Sequence, residues 1–455
     1  MIKTFGFYIF PSLRSEMRAL FINSMADNIP FINYQTVIPM MRTYKFRIYP
    51  SKSIQRIIEE HLNICRYLYN YLLEQKTKNP KLNKMDTQKL ITEHKKKNPE
   101  LKKVHSKVLQ MVNNKLWDNL KALGKLKKKG YKVGKLRFKS SKNRYKTLEY
   151  NQSGFKVDYE TKRLKLSKIG EIPIKLHQKI KGKIKSVIIK KEPTGKWFAF
   201  FQVEEEPKPL PKTNKVVGID LGIDGYAIDS DGNKFENPKF IDKTLDKIKK
   251  VQKNLSRKVK GSNNYKKTKL KLIKVYDKLN NQKNDFLHKL SRYYINNYDK
   301  IVVENLNIKS MVENGKCKTL NRHILDGSWK RFINLLLYKA EGAGREVILV
   351  NPSYTSKKCS NCGCVVDGLK LSDRVFFCPN CGWKSDRDYN ASLNILKSGL
   401  GESVVPAEGR SLLRVIPYIM VISGQVSPMS QEALPEGRGL RKPKGFRLTP
   451  SVRAE

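Results

Sequence analysis

The sequence predicts a β-rich module carrying a helical insert, followed by an α/β domain that encloses a pair of cysteine knuckles. Three observations predict it. Between Met41 and about residue 206 the hydrophobic period runs from two, to the helical repeat, and back to two. From 215 to 398 short apolar runs alternate with helical blocks, the pattern of an α/β sheet. Four cysteines near the end of that region form two CxxC pairs.

Residues 1–40 show no clear periodicity and end on Met40 and Met41. RTYKFRIYP then alternates as a half-buried strand does. Pro50 and Ser51 open an amphipathic helix with Ile54, Ile57, Ile58, Leu62, Cys65, Leu68 and Leu72 on its apolar stripe. Helical blocks follow around 86–95 and 104–129, completing an insert over about 51–130. From 131 to 206 the segments KLRFK, FKVDY, RLKLSK, KSVIIKK and KWFAFFQVE, parted by Gly, Asn and Pro, read as strands. EEEPKPLPKTNK (204–215) marks a domain boundary. In the second domain, 207–398, VVGIDLG is a short buried strand and GYAIDSDGNKF a hairpin turning at Asp231-Gly232. Two Lys-rich helices cover about 241–298, KIVVENL is a strand, a helix near 328–341 leads into the strand REVILV, and Tyr389–Lys397 is a last helix. Residues 399–455, rich in Gly, Pro, Ser and Arg, form a basic tail without pattern.

Composition bounds the partner. Of 455 residues, 92 are Lys or Arg and 41 are Asp or Glu, a formal net charge of +51. A folded body with that charge repels itself unless a polyanion neutralises it, so nucleic acid is the first partner and an acidic membrane surface the second. Val415–Ser423 is the nearest approach to a membrane span and is far shorter than the ~18 apolar residues needed. Pro11 and Arg14 interrupt the N-terminal apolar patch, so no signal peptide is read there. With CxxC pairing and an odd total of seven cysteines, this points to a cytoplasmic, reducing location.

Cys359 and Cys362, then Cys378 and Cys381, place four thiolates at the spacing of a structural zinc ribbon, over about 356–385. Gly363 and Gly382 follow each pair, where a tight knuckle turns. Cys364 is the spare. Four filled positions leave no open site, so this zinc is structural.

Three carboxylates lie at element ends. Asp220 ends the strand VVGID, Glu304 ends IVVE, and Asp388 starts the last helix. Open α/β sheets build sites at such ends, and three converging carboxylates in a basic protein suit two Mg²⁺ ions and phosphodiester hydrolysis. From spacing alone the plainer readings stand beside it: Asp220 capping a turn, Glu304 pairing with a lysine, Asp388 or Asp386 capping a helix.

GIDLGIDGYAI, VVENLNI, REVILVNPSYTSKKCSNCG and DRDYNASLNIL, in that order, resemble the TnpB (OrfB) family of insertion-sequence proteins, related to type V CRISPR nucleases. MRTYKFRIYPSK with QRIIEEHLNICRYLYNYLLE resembles that family's opening segment, so the likeness spans about Met41 to Lys397. The resemblance implies a RuvC-like nuclease domain of RNase H fold with an inserted zinc ribbon. Ahead of it would stand an oligonucleotide-binding β-barrel, 41–206, interrupted by a helical recognition insert. It implies an endonuclease that cuts double-stranded DNA under a guide RNA copied from the transposon end, in a prokaryotic, nucleoid-associated setting. Asp220, Glu304 and Asp388 match its catalytic carboxylates for Mg or Mn, with Asp386 the alternative for the third. Residues 1–40 precede the family's usual start, which falls at Met40 or Met41. Asn305 stands where many relatives have Asp.

Basic–aromatic alternation at Arg137-Phe138-Lys139 and Arg144-Tyr145-Lys146 suits phosphate contact with base stacking. Two competing functions remain from other classes: a transposase or transposition accessory protein, and a guided DNA binder or repressor that does not cut. All three carboxylates in place favour the enzyme over the binder, and nothing in the motifs demands strand transfer.

Overall fold

The computed structural model describes residues 39–140, 145–315, 317–369 and 373–401, with the backbone of 414–416. Expectations placed on residues 1–38, on Arg144 and on the rest of the tail lie outside the described residues.

Strand β1 (Met40–Ile48) buries Tyr44, Phe46 and Ile48 and turns Lys45 and Arg47 outward, as its alternation requires. Met40 and Met41 open its ladder with β7 (Trp197–Glu205). The other strands are β2 (Thr147–Asn151), β3 (Phe155–Asp158), β4 (Arg163–Leu166), β5 (Gly170–Lys175) and β6 (Lys183–Lys191). The sheet order is β2-β6-β7-β1-β5-β4-β3. Its two edge strands, β2 and β3, are consecutive in the chain and joined only by residues 152–154. Four Cα steps reach at most about 14 Å, so the sheet curls until its edges nearly meet, and the Tyr150 hydroxyl donates across to the Ser167 carbonyl at 3.0 Å.

The insert consists of α1 (Lys52–Lys78), α2 (Lys84–Lys97) and α3 (Ser106–Lys128). Ser51 caps α1 by accepting from the Ile54 amide, and Asn83 with Asp86 forms a capping box on α2. Ile58, Leu68 and Leu72 of α1 share one apolar core with Val108, Val112 and Leu116 of α3 and with the sheet's inner face.

KLRFK is not a strand. Residues 131–140 run irregularly along α1, where the Asn70 amide both accepts from the Lys139 N–H (2.7 Å) and donates to its carbonyl (3.0 Å). A helix side chain thus supplies the pairing that a neighbouring strand would otherwise give.

The second sheet has the order β12-β11-β8-β9-β10-β15: β8 (Val216–Asp220), β9 (Gly225–Asp229), β10 (Asn233–Glu236), β11 (Lys300–Glu304), β12 (Glu346–Val350) and β15 (Arg414–Ile416). Strands β8, β11 and β12 are parallel, and β9 is antiparallel to both β8 and β10. The hairpin turns at Gly232 as expected, with the Asp229 carboxylate accepting from the Asp231 and Asn233 amides. The helices are α4 (Phe240–Ser256), α5 (Asn263–Asn297), α6 (Ile308–Asn314), α7 (Lys318–Gly327), α8 (Trp329–Ala343) and α9 (Arg387–Leu400). Sequence reading missed α6 and α7, and began α9 two residues late.

Val217, Ile219, Ile301 and Val303 face one side and pack with Leu290 and Tyr294 of α5 and Phe332 and Leu336 of α8. Val302 faces the other side, against Ile395 and Leu396 of α9. The Pro-rich linker lies flat on this domain. The amides of Lys208 and Leu210 donate to the carbonyls of Gly342 and Ala343, and those of Thr213 and Asn214 to Asp299. The described residues from Pro39 onward fall in one compact unit. No helix among the described residues is long and apolar enough to cross a membrane.

Candidate active site and metal centre

Asp220 and Glu304 are brought together by strand register. β8 and β11 pair in parallel with Ile219 opposite Val303, so the next residues of both strands are neighbours. Val217 and Ile219 face α5 and α8; Gly218 and Asp220 therefore face α9, as Val302 and Glu304 do. Gly218 sets the distance: a Cβ there would lie 2.3 Å from the Ser392 carbonyl oxygen of α9. That close approach carries the first turn of α9, with Asp388, to the ends of the two strands.

The electrostatics report the convergence. Burial raises the Asp220 carboxyl well above the usual carboxylate range, and the charges of Glu304 and Asp388 raise it further. Glu304 is buried, which raises it, while the Thr355 hydroxyl donates to Oε1 at 2.6 Å and draws it back. Asp388 is raised by burial and by Asp386, against the lowering charges of Arg374, Arg387 and Lys234. Asp386 is occupied differently: its Oδ1 caps α9, accepting from the amides of Asp388 (2.9 Å) and Tyr389 (3.1 Å).

Two neighbours escaped sequence reading. Thr355 lies in the loop after β12, where nothing in SYTSKKC marks it as a partner of Glu304, 51 residues earlier. Arg374 lies before the second knuckle, ion-paired to Asp224 and 4.0 Å from Asp388.

The cysteines assemble as expected. Sγ of Cys359 lies 3.7 Å from that of Cys381, and Sγ of Cys362 lies 3.5 Å from that of Cys378. All four sulfurs fall within 4.8 Å of one another, the one set of three or more His, Cys, Asp or Glu ligand atoms that does so among the described residues. The carboxylates form a wider group. Each knuckle closes with a backbone hydrogen bond onto its first cysteine: the Gly363 N–H donates to the Cys359 carbonyl (3.0 Å) and the Gly382 N–H to the Cys378 carbonyl (2.9 Å). Both glycines have positive φ. A short hairpin, β13 (Val375–Phe377) with β14 (Lys384–Asp386), joins the second knuckle directly to α9. Cys364 Sγ points away, towards the Val365 carbonyl.

The basic–aromatic residues separate into two groups. Arg137 and Phe138 are exposed on the irregular segment, Lys146 is exposed, and the Lys139 ammonium lies 5.4 Å from the Tyr69 ring. Tyr145 is corrected: it is buried, its ring packed near Tyr69 with the Lys115 ammonium 5.0 Å from its centroid. Its faces are occupied by protein, because β2 begins two residues later and draws it into the core.

Three family profiles match the chain: "Helix-turn-helix domain" over 40–85, "Probable transposase" over 200–315, and "Cas12f1-like, TNB domain" over 329–395. The second contains Asp220 and Glu304; the third contains Asp388 and the four cysteines. A "Putative RNA-guided DNA endonuclease" of Streptomyces pristinaespiralis is 31% identical over 372 residues, covering 80% of this chain and 90% of the relative. One of the same description from Escherichia coli is 29% identical, covering 79% and 92%. Among solved structures, the mini-RNA-guided endonuclease CRISPR-Cas phi3 aligns over 88% of this chain and 99% of its own, at 11% identity and a TM-score of 0.47.

Proposed function

The chain belongs to the TnpB (OrfB) family, related to type V CRISPR nucleases, and from that premise we propose that it is an RNA-guided DNA endonuclease encoded by an insertion sequence. The observation that carries this reading is the meeting of Asp220, Glu304 and Asp388 at two adjacent strand ends and one helix start. The β8–β12 sheet, a three-strand meander extended by two parallel strands, supports a RuvC-like domain of RNase H type. The nearly closed first sheet supports an oligonucleotide-binding barrel.

The residues fit divalent cations. Three buried carboxylates, all raised, with Asp220 pushed further by the charges of Glu304 and Asp388, are an arrangement that a nearby positive charge relieves. Asp220, Glu304 and Asp388 would hold Mg²⁺ or Mn²⁺; when bound, a pair of such ions activates water and stabilises the leaving oxygen. The chain's own groups do the positioning. Thr355 fixes the Glu304 carboxylate. Asp386 holds the first turn of α9, so that Asp388 is free to face the strands. The ribbon, with zinc on its four thiolates, keeps that turn in place through β14. A guide RNA would supply sequence by base pairing with target DNA, drawn to Arg137, Phe138, Lys139 and Lys146 and to the wider basic surface.

The test is cleavage of a matched duplex by the chain purified with its RNA, in Mg²⁺ and in chelator. Wild-type rates from Asp220→Ala or Glu304→Gln would remove the assignment. Joined strands instead of simple breaks would favour a transposase.

A further inference from the structure

The outer face of the barrel alternates cations and rings. The Lys45 ammonium lies 4.1 Å from the Phe198 ring centroid, and the Arg47 guanidinium 5.2 Å from the same ring and 5.4 Å from Tyr49. Such contacts hold long cationic side chains in place while leaving their charge available. This face does not end in open solvent. Helix α5 of the second domain passes it, and the two enclose a cleft of about 370 Å³.

Three features of the cleft point to a ligand. Arg47 Nη1 is buried and has no hydrogen-bond partner among the described residues. A buried guanidinium nitrogen left unmatched is costly and is ordinarily satisfied by an acceptor. Four cations line the walls: Lys45, Arg47, Lys175 and Lys196. Two of them are held by carboxylates, whose place a phosphate oxygen can take. Lys45 bonds Glu192 at 2.6 Å, and Lys196 reaches across the cleft to Asp277 of α5 at 3.8 Å.

Resting on the guide-RNA reading above, we propose that this cleft is the seat of one unpaired nucleotide of the guide RNA. Its phosphate takes Arg47 and displaces Glu192 from Lys45 and Asp277 from Lys196. The volume decides against a duplex, since it lies at the small end of the roughly 300–1,000 Å³ of small-ligand sites. Unpaired nucleotides splayed from a structured RNA are what proteins recognise with aromatic and guanidinium planes. The released Glu192 carboxylate and the Asn281 amide then face the sugar. They accept from a 2′-hydroxyl, a donor that a DNA backbone lacks. The Lys196–Asp277 pair would thus bridge barrel and nuclease domain without RNA, and the nucleotide would bridge them with it.

The probe is the RNA that copurifies with the full chain, gel-purified and end-labelled, beside a DNA strand of the same sequence. Lys196→Ala and Arg47→Ala should each weaken RNA binding about tenfold. Each should also lower the slope of log affinity against log salt by about 0.7 to 0.9. Asp277→Asn, which removes the competing carboxylate, should tighten RNA binding several-fold. The DNA strand should respond weakly to all three. RNA affinity and salt slope unchanged in the variants overturn the seat and leave the function reading standing. Equal loss for RNA and DNA overturns the RNA assignment of the cleft. Absence of any copurifying RNA overturns the function reading and the seat with it.

Discussion

The carboxylate cleft and the cysteine ribbon sit at opposite ends of one short hairpin, yet they treat negative charge differently. At the ribbon, the protein supplies donors to the sulfurs: the Asn361 amide to Cys359 (3.4 Å), the Asn361 side chain to Cys381 and the Asn380 side chain to Cys362. The four sulfurs are already gathered. At the cleft, Glu304 receives one side-chain bond, and the three carboxylates stand wider, with Glu304 and Asp388 raising Asp220. A site that only holds an ion can be completed by its own chain. A site that must also admit a phosphodiester keeps part of its neutralisation for what enters.

The largest expected effect breaks the cleft alone. Asp220→Ala or Asp388→Asn should slow cleavage by about 10³-fold, the several kcal/mol expected of charge stabilisation by bound metal. RNA binding should be kept; loss of both together would mean a fold defect. Breaking the ribbon should look different. Cys378→Ser should lose zinc, measured by metal content, and loosen the start of α9, so cleavage should fall while RNA affinity persists. Wild-type cleavage by a zinc-free ribbon would refute the coupling.

A third prediction concerns stability. The folded-state pKa of Asp220 lies above its unfolded value, so between the two the folded state binds more protons. Stability of the chelated protein should therefore fall as pH rises from the usual carboxylate value through the raised one, and Mg²⁺ should restore it at neutral pH. Asp220→Asn, which cannot ionise, should raise the chelated protein's melting temperature, by about 1 °C for each kcal/mol relieved in a unit of this size. No rise would show that the carboxylates are not in conflict.

Thr355→Val should have a smaller effect. It removes the bond that lowers Glu304, so the acid limb of the pH–rate profile should move to higher pH, with a severalfold loss at the acid end. Smallest of all is Asp386→Asn. Asn caps helices about as well as Asp, so stability should change by no more than about 0.5 kcal/mol, and cleavage should stay near wild type. A large loss there would transfer the third carboxylate's role from Asp388.

Much of this was legible in sequence because it depends on local order. Strand ends show as the last polar residue after an apolar run, which is how Asp220 and Glu304 stand out; the knuckles show as spacing. What stayed hidden depends on distant partners. Thr355 meets Glu304 only because β12 pairs with β11. KLRFK alternates like a strand, but Asn70 takes up its pairing groups. Tyr145 reads as a stacking residue beside Lys146, and only the start of β2 turns it inward. Near-closure of the first sheet follows from which strands are edges, and no single segment carries that information.

The linker, Pro-rich and charged, has the composition of a tether, but it is built as a splint. The amides of Lys208 and Leu210 hang from the end of α8, and Asp299 grips Thr213 and Asn214 while also pairing with Arg345. Asp299 immediately precedes β11, the strand that ends in Glu304. Torque applied to the first sheet is therefore delivered to the root of the strand that ends in Glu304 instead of being lost in slack chain. Lengthening this segment with flexible residues would uncouple the two halves mechanically even if each still folded.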